Sequence, residues 1–266
     1  MFKALRSLFA SRPEPVKAAI PAGQRVYAVG DIHGRLDLMV TLAEAIEADD
    51  RKRGPADTTV ILLGDLVDRG PDSAGVITAA RMWAEQRRVR FIAGNHEEMF
   101  LDSFDSIETL RHFIKYGGKE TLLSYPIDPQ AYTAAEIEEL QALMRQAVPK
   151  EDLDFLNGFE DTIRIGDYVF VHAGIHPDLP LEEQRTSQLR WIREPFLSHP
   201  GDHGFVVVHG HTITDEAQVL ANRIGIDTGA YQSGRLTALG LEGSNRWLIE
   251  THGEGTEIAA RVRPAE

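Results

Sequence analysis

Short β-branched runs that each end in a glycine or a polar residue recur along this chain, and their order constrains the fold more than any other feature. The runs lie at residues 25–31, 58–65, 89–95, 167–174, 204–211 and 223–229. Helical periodicity over residues 35–53 and 73–88 separates the first three runs, which predicts a β-α-β-α-β unit with crossover connections and parallel strands. Because residues 235–243 and 246–253 indicate a closing hairpin or meander, we predict an α/β fold with a mixed sheet.

The strand pattern stops between Met99 and about Asp161, where helical patterns take over. A helical insertion of this length between two core strands predicts a cap over one face of the sheet. The resulting domain boundaries are an N-terminal tail and linker over residues 1–24, one domain over residues 25–253 that includes the cap at about 99–161, and a C-terminal tail over residues 254–266.

Composition excludes several classes of protein. The 266 residues are 42% hydrophobic, which is enough for a sizeable core, and they include no cysteine. A chain without cysteine has no disulfide framework, no thiolate zinc site and no cysteine nucleophile, and it suits a reducing compartment. The net charge of −13 argues against stable binding to nucleic acid. Since no apolar run approaches the length of a membrane span, we expect a cytoplasmic protein.

Residues 2–9 show a short amphipathic pattern. Lys3 and Arg6 lie between apolar residues at helical spacing, which are Phe2, Leu5, Leu8 and Phe9. Such a segment is able to make weak contact with an anionic membrane surface or a partner protein. The alternative is a frayed tail ahead of the linker, and nothing in the pattern indicates an oligomeric state.

Acidic, amide and imidazole side chains follow the carboxyl ends of five predicted strands. They are Asp31, His33, Asp65, Asp68, Asn95, His96, His172, His209 and His211. In α/β sheets the loops at these ends converge and form the ligand-binding crevice. Oxygen and imidazole donors without sulfur suit divalent manganese, iron or zinc. A lone aspartate usually caps a helix and a lone histidine is usually a satisfied polar residue, so the prediction of a metal site depends on the agreement of five loops.

The pattern predicts two metal ions, because paired ions can bind both the attacking and the leaving oxygen of a phosphoryl displacement. Asp65 ends the second of three neighbouring strands and is the natural bridging carboxylate. Asp31 and His33 are two positions apart in an extended segment, so they face the same side and the same ion. Gly30 and Gly34 allow a tight turn around them.

Five sequence blocks carry a resemblance to a known family. They are GDIHG (30–34), GDLVDRG (64–70), GNHE (94–97), HAG (172–174) and GHT (210–212). In order and spacing, these blocks resemble the signature of the phosphoprotein phosphatase family within the calcineurin-like metallophosphoesterases. The resemblance runs from about Arg25 to Gly243. It implies a layered sandwich of mixed β-sheets flanked by helices, with the predicted cap as an insertion.

The resemblance also implies the metal ligands. One ion is expected to have the ligands Asp31, His33 and Asp65. The other is expected to have Asp65, Asn95, His172 and His211. The histidine of the GHT block is His211, so His209 is expected to lie behind the ligands. Manganese is the expected metal, with iron or zinc as alternatives.

The same resemblance implies how the phosphate ester is cleaved. A hydroxide held between the two ions is expected to attack phosphorus in line, without a covalent enzyme intermediate. His96 is expected to give a proton to the leaving oxygen, while Asp68 accepts a hydrogen bond from its other ring nitrogen. Arg69 and Arg193 match the arginines that bind the phosphate oxygens, a task that suits the planar guanidinium.

Two further segments bear on the substrate. YGGKETLLSY (116–125) and DTGAYQSGRLTAL (227–239) resemble those of bacterial protein phosphatases and symmetrical diadenosine tetraphosphate hydrolases. A phosphoprotein needs an open groove, whereas a dinucleotide needs walls for two bases. The cap side chains suited to a dinucleotide are Arg111, His112, Lys115, Tyr116, Lys119 and Tyr125.

We predict a serine/threonine protein phosphatase, because the resemblance covers the full set of that family's blocks and the cap has no dense basic cluster; packing of the cap helices is the commoner role for its tyrosines. The alternative is a symmetrical bis(5′-nucleosyl)-tetraphosphatase, and activity on phosphotyrosine stays open. A non-catalytic metal-bound scaffold is disfavoured, since every expected ligand and the expected acid are present.

Overall fold

In this computed structural model, the described residues are 17–253 and 257–265. The predicted amphipathic segment 2–9 therefore lies outside the described residues. The strands are β1 Gln24–Val29, β2 Asp57–Leu62, β3 Val89–Phe91, β4 Thr162–Ile165, β5 Tyr168–Val171, β6 Val206–His209, β7 Gln218–Val219, β8 Arg223–Gly225, β9 Thr237–Glu242, β10 Asn245–His252 and β11 Ala259–Pro264.

The strands form two mixed sheets. Their orders are β11-β10-β9-β1-β2-β3 and β4-β5-β6-β8-β7. In the first sheet β1, β2 and β3 are parallel, as the β-α-β-α-β pattern predicts, and β9 and β10 form the predicted antiparallel hairpin. In the second sheet β5, β6 and β8 are parallel. The predicted α/β fold with mixed sheets is confirmed.

Helices cover the sheets and form the cap. They are α1 Leu36–Arg53, α2 Ser73–Gln86, α3 Asn95–Asp102, α4 Ile107–Phe113, α5 Lys119–Ser124, α6 Pro129–Ala134, α7 Ile137–Ala147, α8 Lys150–Asn157, α9 Thr186–Trp191 and α10 Ala230–Ser233. The first two are the crossover helices, and Asp72 caps α2 by accepting the backbone N–H of Gly75 at 2.8 Å. Within the described residues, no helix combines the length and the apolar character needed to cross a bilayer.

The packing of the core explains why the sequence of β1 is an almost continuous apolar run. Alternate residues of a strand face opposite sides of its sheet. Tyr27 packs in a cluster with Leu42 of α1, whereas Val26 and Ala28 pack in a second cluster with Phe170 of β5. Both faces of the strand are therefore buried, one under helices and the other under the second sheet. The two sheets lie face to face, as in the layered sandwich implied by the resemblance.

The inserted cap, from Met99 within α3 to the end of α8, is helical, but it is more broken than the periodicity predicts. The helix that contains Met99 ends at Asp102, and a π-helical segment, Ile114–Gly118, joins α4 to α5. Gly117 causes the irregularity, since its φ of 114° is not a helical value. Phe100 and Phe113 stack with ring centroids 5.3 Å apart in the core of the cap.

Both predicted tails contribute residues to the fold, and β11 takes up six of the thirteen residues predicted as a C-terminal tail over 254–266. This strand pairs antiparallel with β10, and Arg263 donates to the buried carboxylate of Glu250 at 2.8 Å. In the predicted N-terminal linker, Ile20 is buried and donates its backbone N–H to the carbonyl oxygen of Gly243 at 2.9 Å.

Candidate active site

The polar side chains predicted at the strand ends meet in one buried cluster between the two sheets. Its members are Asp31 and His33 after β1, Asp65 and Asp68 after β2, Asn95 and His96 at the start of α3, His172 after β5 and His211 after β6. Each of these residues is at most 8% exposed. Their depth shows that the polar groups serve one another, or a shared ligand, rather than water.

Asp65 lies at the centre of the cluster. Its Oδ2 is 3.4 Å from Nε2 of His172 and 3.6 Å from Nε2 of His33. Asp65 also belongs to both groups of side chains whose donor atoms all lie within 4.8 Å of one another. The groups are His33 with Asp65 and His96, and Asp65 with His172 and His211. A carboxylate shared by two such groups is suited to bridge two ions.

Asp31 and Asn95 join the cluster through His211. The carboxylate oxygens of Asp31 accept the backbone N–H of His211 at 3.2 and 3.0 Å. Oδ1 of Asn95 lies 2.8 Å from Nδ1 of His211 and 2.9 Å from Nε2 of His172. Burial and the nearby carboxylate of Asp227 raise the pKa of Asp31 well above its ordinary value. The cluster thus concentrates negative charge that a cation would neutralise.

Backbone carbonyl groups fix the protonation of two histidine rings. Nδ1 of His33 donates to the carbonyl oxygen of Val67, and Nδ1 of His172 donates to that of Leu63, both at 2.8 Å. Burial lowers the pKa of both rings, that of His172 to about 4, so each ring has a single proton near pH 7. We assign that proton to Nδ1 from the hydrogen bonds, which leaves the lone pair of each Nε2 directed at the cluster.

The donor set fits divalent cations. Nε2 of His172 and Oδ1 of Asn95 are both acceptors, yet they lie 2.9 Å apart. Two ligand atoms that are each about 2.1 Å from one ion are roughly 3.0–3.4 Å apart at octahedral and tetrahedral angles. Nε2 of His211 is buried and has no hydrogen-bond partner among the described residues. Burial also raises the pKa of Asp65 to about 6, a cost that a bound cation would offset.

Backbone strain is concentrated in this cluster. Within the described chain, the non-glycine residues with positive φ are His33 (47°), Asp65 (51°), Asp68 (75°), Arg69 (68°) and His211 (63°). Each such conformation costs about 1–3 kcal/mol and persists only where the surroundings enforce it. All five belong to the predicted site, so the fold sacrifices stability to direct these side chains.

Glu97 stabilises the strained loop, a role that the sequence pattern did not predict. Its carboxylate accepts the backbone N–H groups of Gly94, Asp65 and Leu66 at 2.9, 2.8 and 2.7 Å. A Cβ atom at Gly94 would lie 2.1 Å from Oδ1 of Asp65, so only glycine fits there. A glutamate at the third position of a helix is a known capping signal, and it would have identified this contact in part.

Asp68 and His96 form a buried pair beside the two donor groups. Oδ2 of Asp68 accepts the Nδ1–H of His96 at 2.6 Å, which leaves Nε2 of His96 facing the cluster. Arg69 donates from one guanidinium nitrogen to this Nε2 and from another to Nε2 of His33, each at 2.8 Å. The guanidinium also lies 4.9 Å from the ring centroid of Tyr231, a contact that the sequence analysis did not predict.

Arg193 and His209 lie outside the cluster. Arg193 is exposed on the loop after α9, and among the described residues its side chain makes no hydrogen bond. Its charge nevertheless acts on the site, because burial, His172 and Arg193 together lower the pKa of His211. The ring of His209 packs 5.1 Å from that of Phe196, and its Nδ1 lies 3.0 Å from the carbonyl oxygen of Gly210.

The comparison with known families agrees with this geometry. The profile described as calcineurin-like phosphoesterase matches residues 24–236. The chain belongs to this family. It is therefore a phosphoesterase, in a family that uses divalent metal ions, and its resemblance to the phosphoprotein phosphatases is confirmed.

Relatives of this metallophosphoesterase differ in the substrates that their names give. Serine/threonine-protein phosphatase 1 of Salmonella typhimurium is 30% identical over 236 residues, 85% of this chain and 97% of the relative. The asymmetrical bis(5′-nucleosyl)-tetraphosphatase PrpE of Bacillus velezensis is 27% identical over 236 residues, 79% of this chain and 86% of the relative. The crystal structure of a cold-active protein-tyrosine phosphatase of a Shewanella species shares the fold, with a TM-score of 0.53 and 18% identity over 87% of this chain and 80% of that chain.

Proposed function

We propose that this metallophosphoesterase hydrolyses phosphoserine and phosphothreonine esters in proteins with two divalent metal ions. The buried cluster around Asp65, next to the Asp68–His96 pair, carries the proposal. The match to the Salmonella typhimurium phosphatase over 97% of its length supports a protein substrate. We also propose a cytoplasmic location, because a chain without cysteine suits a reducing compartment.

The metal ligands are proposed on donor chemistry and position. One ion would be held by Asp31, His33 and Asp65. The other would be held by Asp65, Asn95, His172 and His211. Mixed oxygen and imidazole donors suit manganese, and the same donors accept iron or zinc. When bound, such ions polarise phosphate oxygens and lower the pKa of water to near neutrality.

His96 is proposed as the general acid. Asp68 holds the proton on Nδ1, so a second proton taken up on Nε2 in place of the hydrogen bond from Arg69 would face the cluster, where the phosphate ester would lie. As the bond from phosphorus to the serine or threonine oxygen breaks, the electron pair stays on that oxygen, which takes the proton from Nε2. Asp68 keeps the ring in one orientation and does not itself transfer a proton.

Arg69 and Arg193 are proposed to bind the phosphate oxygens. The guanidinium of Arg69 donates to Nε2 of His33 and of His96, and this position beside the cluster supports the proposed role. A metal ion would occupy Nε2 of His33 and a phosphate would replace Nε2 of His96 as acceptor, so both guanidinium nitrogens would become available to phosphate oxygens, which match the planar guanidinium in pairs. Arg193 is exposed beside the site, so its side chain is accessible to an incoming phosphate.

The cap supports a protein substrate over a dinucleotide, because one of its two candidate stacking rings is committed to packing. Tyr125 is 6% exposed, and its hydroxyl donates to Asp152 at 3.0 Å. The ring therefore packs inside the cap and does not offer a face to a base. A dinucleotide would lose one of the two aromatic contacts that the sequence suggests.

A dinucleoside tetraphosphate is the second candidate substrate, favoured by one surface feature. Tyr116 is 44% exposed, its ring lies 4.7 Å from that of His112, and the ammonium of Lys115 lies 5.6 Å from its centroid. The next residue, Gly117, accepts the backbone N–H of Arg69 at 3.0 Å. An aromatic and basic patch therefore adjoins the proposed phosphate arginine, where a base and its phosphates would find suitable contacts.

Steady-state kinetics of the full chain with manganese test the two candidates. We expect kcat/KM for a phosphoserine or phosphothreonine peptide to exceed that for diadenosine tetraphosphate at least tenfold, with Asp65→Asn inactive on both. Tyr116→Ala should leave peptide turnover unchanged. The reverse preference, with a loss on the dinucleotide in Tyr116→Ala, would replace the first candidate with the second. A phosphotyrosine peptide in the same series tests that substrate as well.

A further inference from the structure

A hydroxyl group of the cap bonds the carboxylate that holds the proposed acid. Thr121 lies in α5 and has no exposed surface. Its Oγ1 donates to Oδ1 of Asp68 at 2.6 Å and accepts the backbone N–H of Asp68 at 2.8 Å. The other oxygen of the same carboxylate accepts the Nδ1–H of His96 at 2.6 Å. A continuous series of hydrogen bonds therefore joins the cap to the ring of His96.

Ser73 completes the hydrogen bonding of Thr121. A hydroxyl group has one donor site and two acceptor sites. Because the hydrogen of Thr121 is directed to Asp68, the 2.9 Å contact between Oγ of Ser73 and Oγ1 of Thr121 has Ser73 as its donor. Ser73 also accepts the backbone N–H of Asp68 at 3.0 Å, but of the two hydroxyls only that of Thr121 bonds the carboxylate. All three sites of the Thr121 hydroxyl are filled, which fixes its direction.

A second contact from the cap acts on the next residue. The backbone N–H of Arg69 donates to the carbonyl oxygen of Gly117 at 3.0 Å. A Cβ atom at Gly117 would lie 2.6 Å from Cγ of Arg69, so the cap backbone touches this residue directly. Asp68 and Arg69 both have left-handed φ values, of 75° and 68°. Contacts from the cap thus hold two consecutive strained residues in place.

We propose that Thr121 is a positioning residue for the phosphatase reaction. It orients the carboxylate of Asp68, and Asp68 holds the ring of His96 with Nε2 facing the leaving oxygen. This inference rests on the proposed function, since it takes His96 as the general acid. In this arrangement the cap is a part of the acid catalyst, in addition to any role in binding substrate.

Leaving-group dependence tests the proposal, because a good leaving group departs without a proton whereas a poor one needs it. The experiment measures kcat on p-nitrophenyl phosphate and on phenyl phosphate. It compares the parent chain with the full-length variants Thr121→Val and Thr121→Ser, all loaded with manganese. We expect Thr121→Val to lower kcat on phenyl phosphate about 10- to 100-fold, with a much smaller loss on p-nitrophenyl phosphate. Thr121→Ser keeps the hydroxyl and should restore both rates.

Ser73→Ala is the matched control. It removes a buried hydroxyl that bonds the same backbone N–H of Asp68 and donates to Thr121, but it leaves the bond from Thr121 to the carboxylate in place. We expect it to lower the rates on the two esters equally, if at all. Manganese content and melting temperature are recorded for every variant, and Thr121→Ala replaces Thr121→Val if the valine variant does not fold.

The outcomes separate this inference from the proposed function. Equal losses on the two esters in Thr121→Val, or no recovery in Thr121→Ser, would overturn the positioning role. His96→Asn and Asp68→Asn are measured on the same esters. If the loss of rate in His96→Asn depends on the leaving group and the loss in Thr121→Val does not, only the role of Thr121 is wrong. If His96→Asn shows no such dependence, the proposed general acid is wrong and the inference fails with it.

Discussion

Oε2 of Glu97 accepts the backbone N–H of Asp65 at 2.8 Å. This bond joins the start of α3, which carries Asn95 and His96, to the loop after β2, which carries Asp65. The spacing of donor atoms from two different elements therefore depends on one buried carboxylate that is not itself a proposed ligand.

Substitution of Glu97 tests this dependence. In Glu97→Gln one acceptor oxygen becomes an N–H₂ group, so at least one buried backbone N–H loses its partner, at a cost of about 1–3 kcal/mol. We expect the free energy of unfolding to fall by that amount in urea denaturation and manganese affinity to fall about 10- to 100-fold. Glu98→Gln is the control, because Glu98 pairs with Arg190 nearer the surface and such pairs contribute little. Equal effects of the two substitutions would contradict the role of Glu97.

Gly94→Ala should damage the site by steric overlap alone. The φ of Gly94 is −89°, which alanine adopts readily, whereas its Cβ would lie 2.1 Å from Oδ1 of Asp65. We expect a loss of about 1–3 kcal/mol in folding stability and a strong loss of turnover, measured by urea denaturation and p-nitrophenyl phosphate hydrolysis. Gly158→Ala, at a φ of −83° and a nearest contact of 3.3 Å, should leave turnover unchanged. Parent-like turnover in Gly94→Ala would show that the loop can shift away.

Asp65→Asn and His96→Asn should lose activity in different ways. Asp65 belongs to both donor groups, so its loss is expected to abolish turnover and to weaken manganese binding. His96→Asn should retain the metal and slow phenyl phosphate hydrolysis by about 10²–10⁴-fold. Elemental analysis and kinetics on the two variants give the comparison. Since Nε2 of His96 lies 4.0 Å from Oδ2 of Asp65, loss of metal in His96→Asn would instead make His96 a ligand.

Tyr125→Phe should change stability and leave catalysis alone. The substitution removes the hydroxyl that donates to Asp152, whose carboxylate keeps a bond from Arg81 at 2.9 Å. We expect a loss of about 0.5–1.5 kcal/mol in urea denaturation, with kcat and KM unchanged on peptide and dinucleotide substrates. Tyr116→Phe, at the exposed ring, is the control and should not change stability. A raised KM for the dinucleotide in Tyr125→Phe would contradict the packing role.

The order of the elements was predictable because the signals are local. Residues 35–53 are predicted as a helix and α1 spans Leu36–Arg53, since an amphipathic period is visible within one segment. The predicted ends of strands are less accurate than the predicted order of the elements. The run 58–65 is predicted as a strand, but β2 ends at Leu62, because Asp65 has a φ of 51° that no extended strand accommodates.

Contacts between distant parts of the chain account for what the sequence did not reveal. Thr121 bonds Asp68 from 53 positions away, and Glu97 bonds Asp65 from 32 positions away. Each looks locally like an ordinary helix residue. The strand β11 is mostly exposed and has no alternating apolar pattern, so its pairing depends on partners in β10.

The proposed ligands come from both layers of the sandwich. Asp65 and Asn95 follow strands of the first sheet, whereas His172 and His211 follow strands of the second. An ion held by all four would cross-link the layers, so a small sliding of one sheet over the other would alter its coordination. On heating, loss of activity should therefore precede loss of secondary structure.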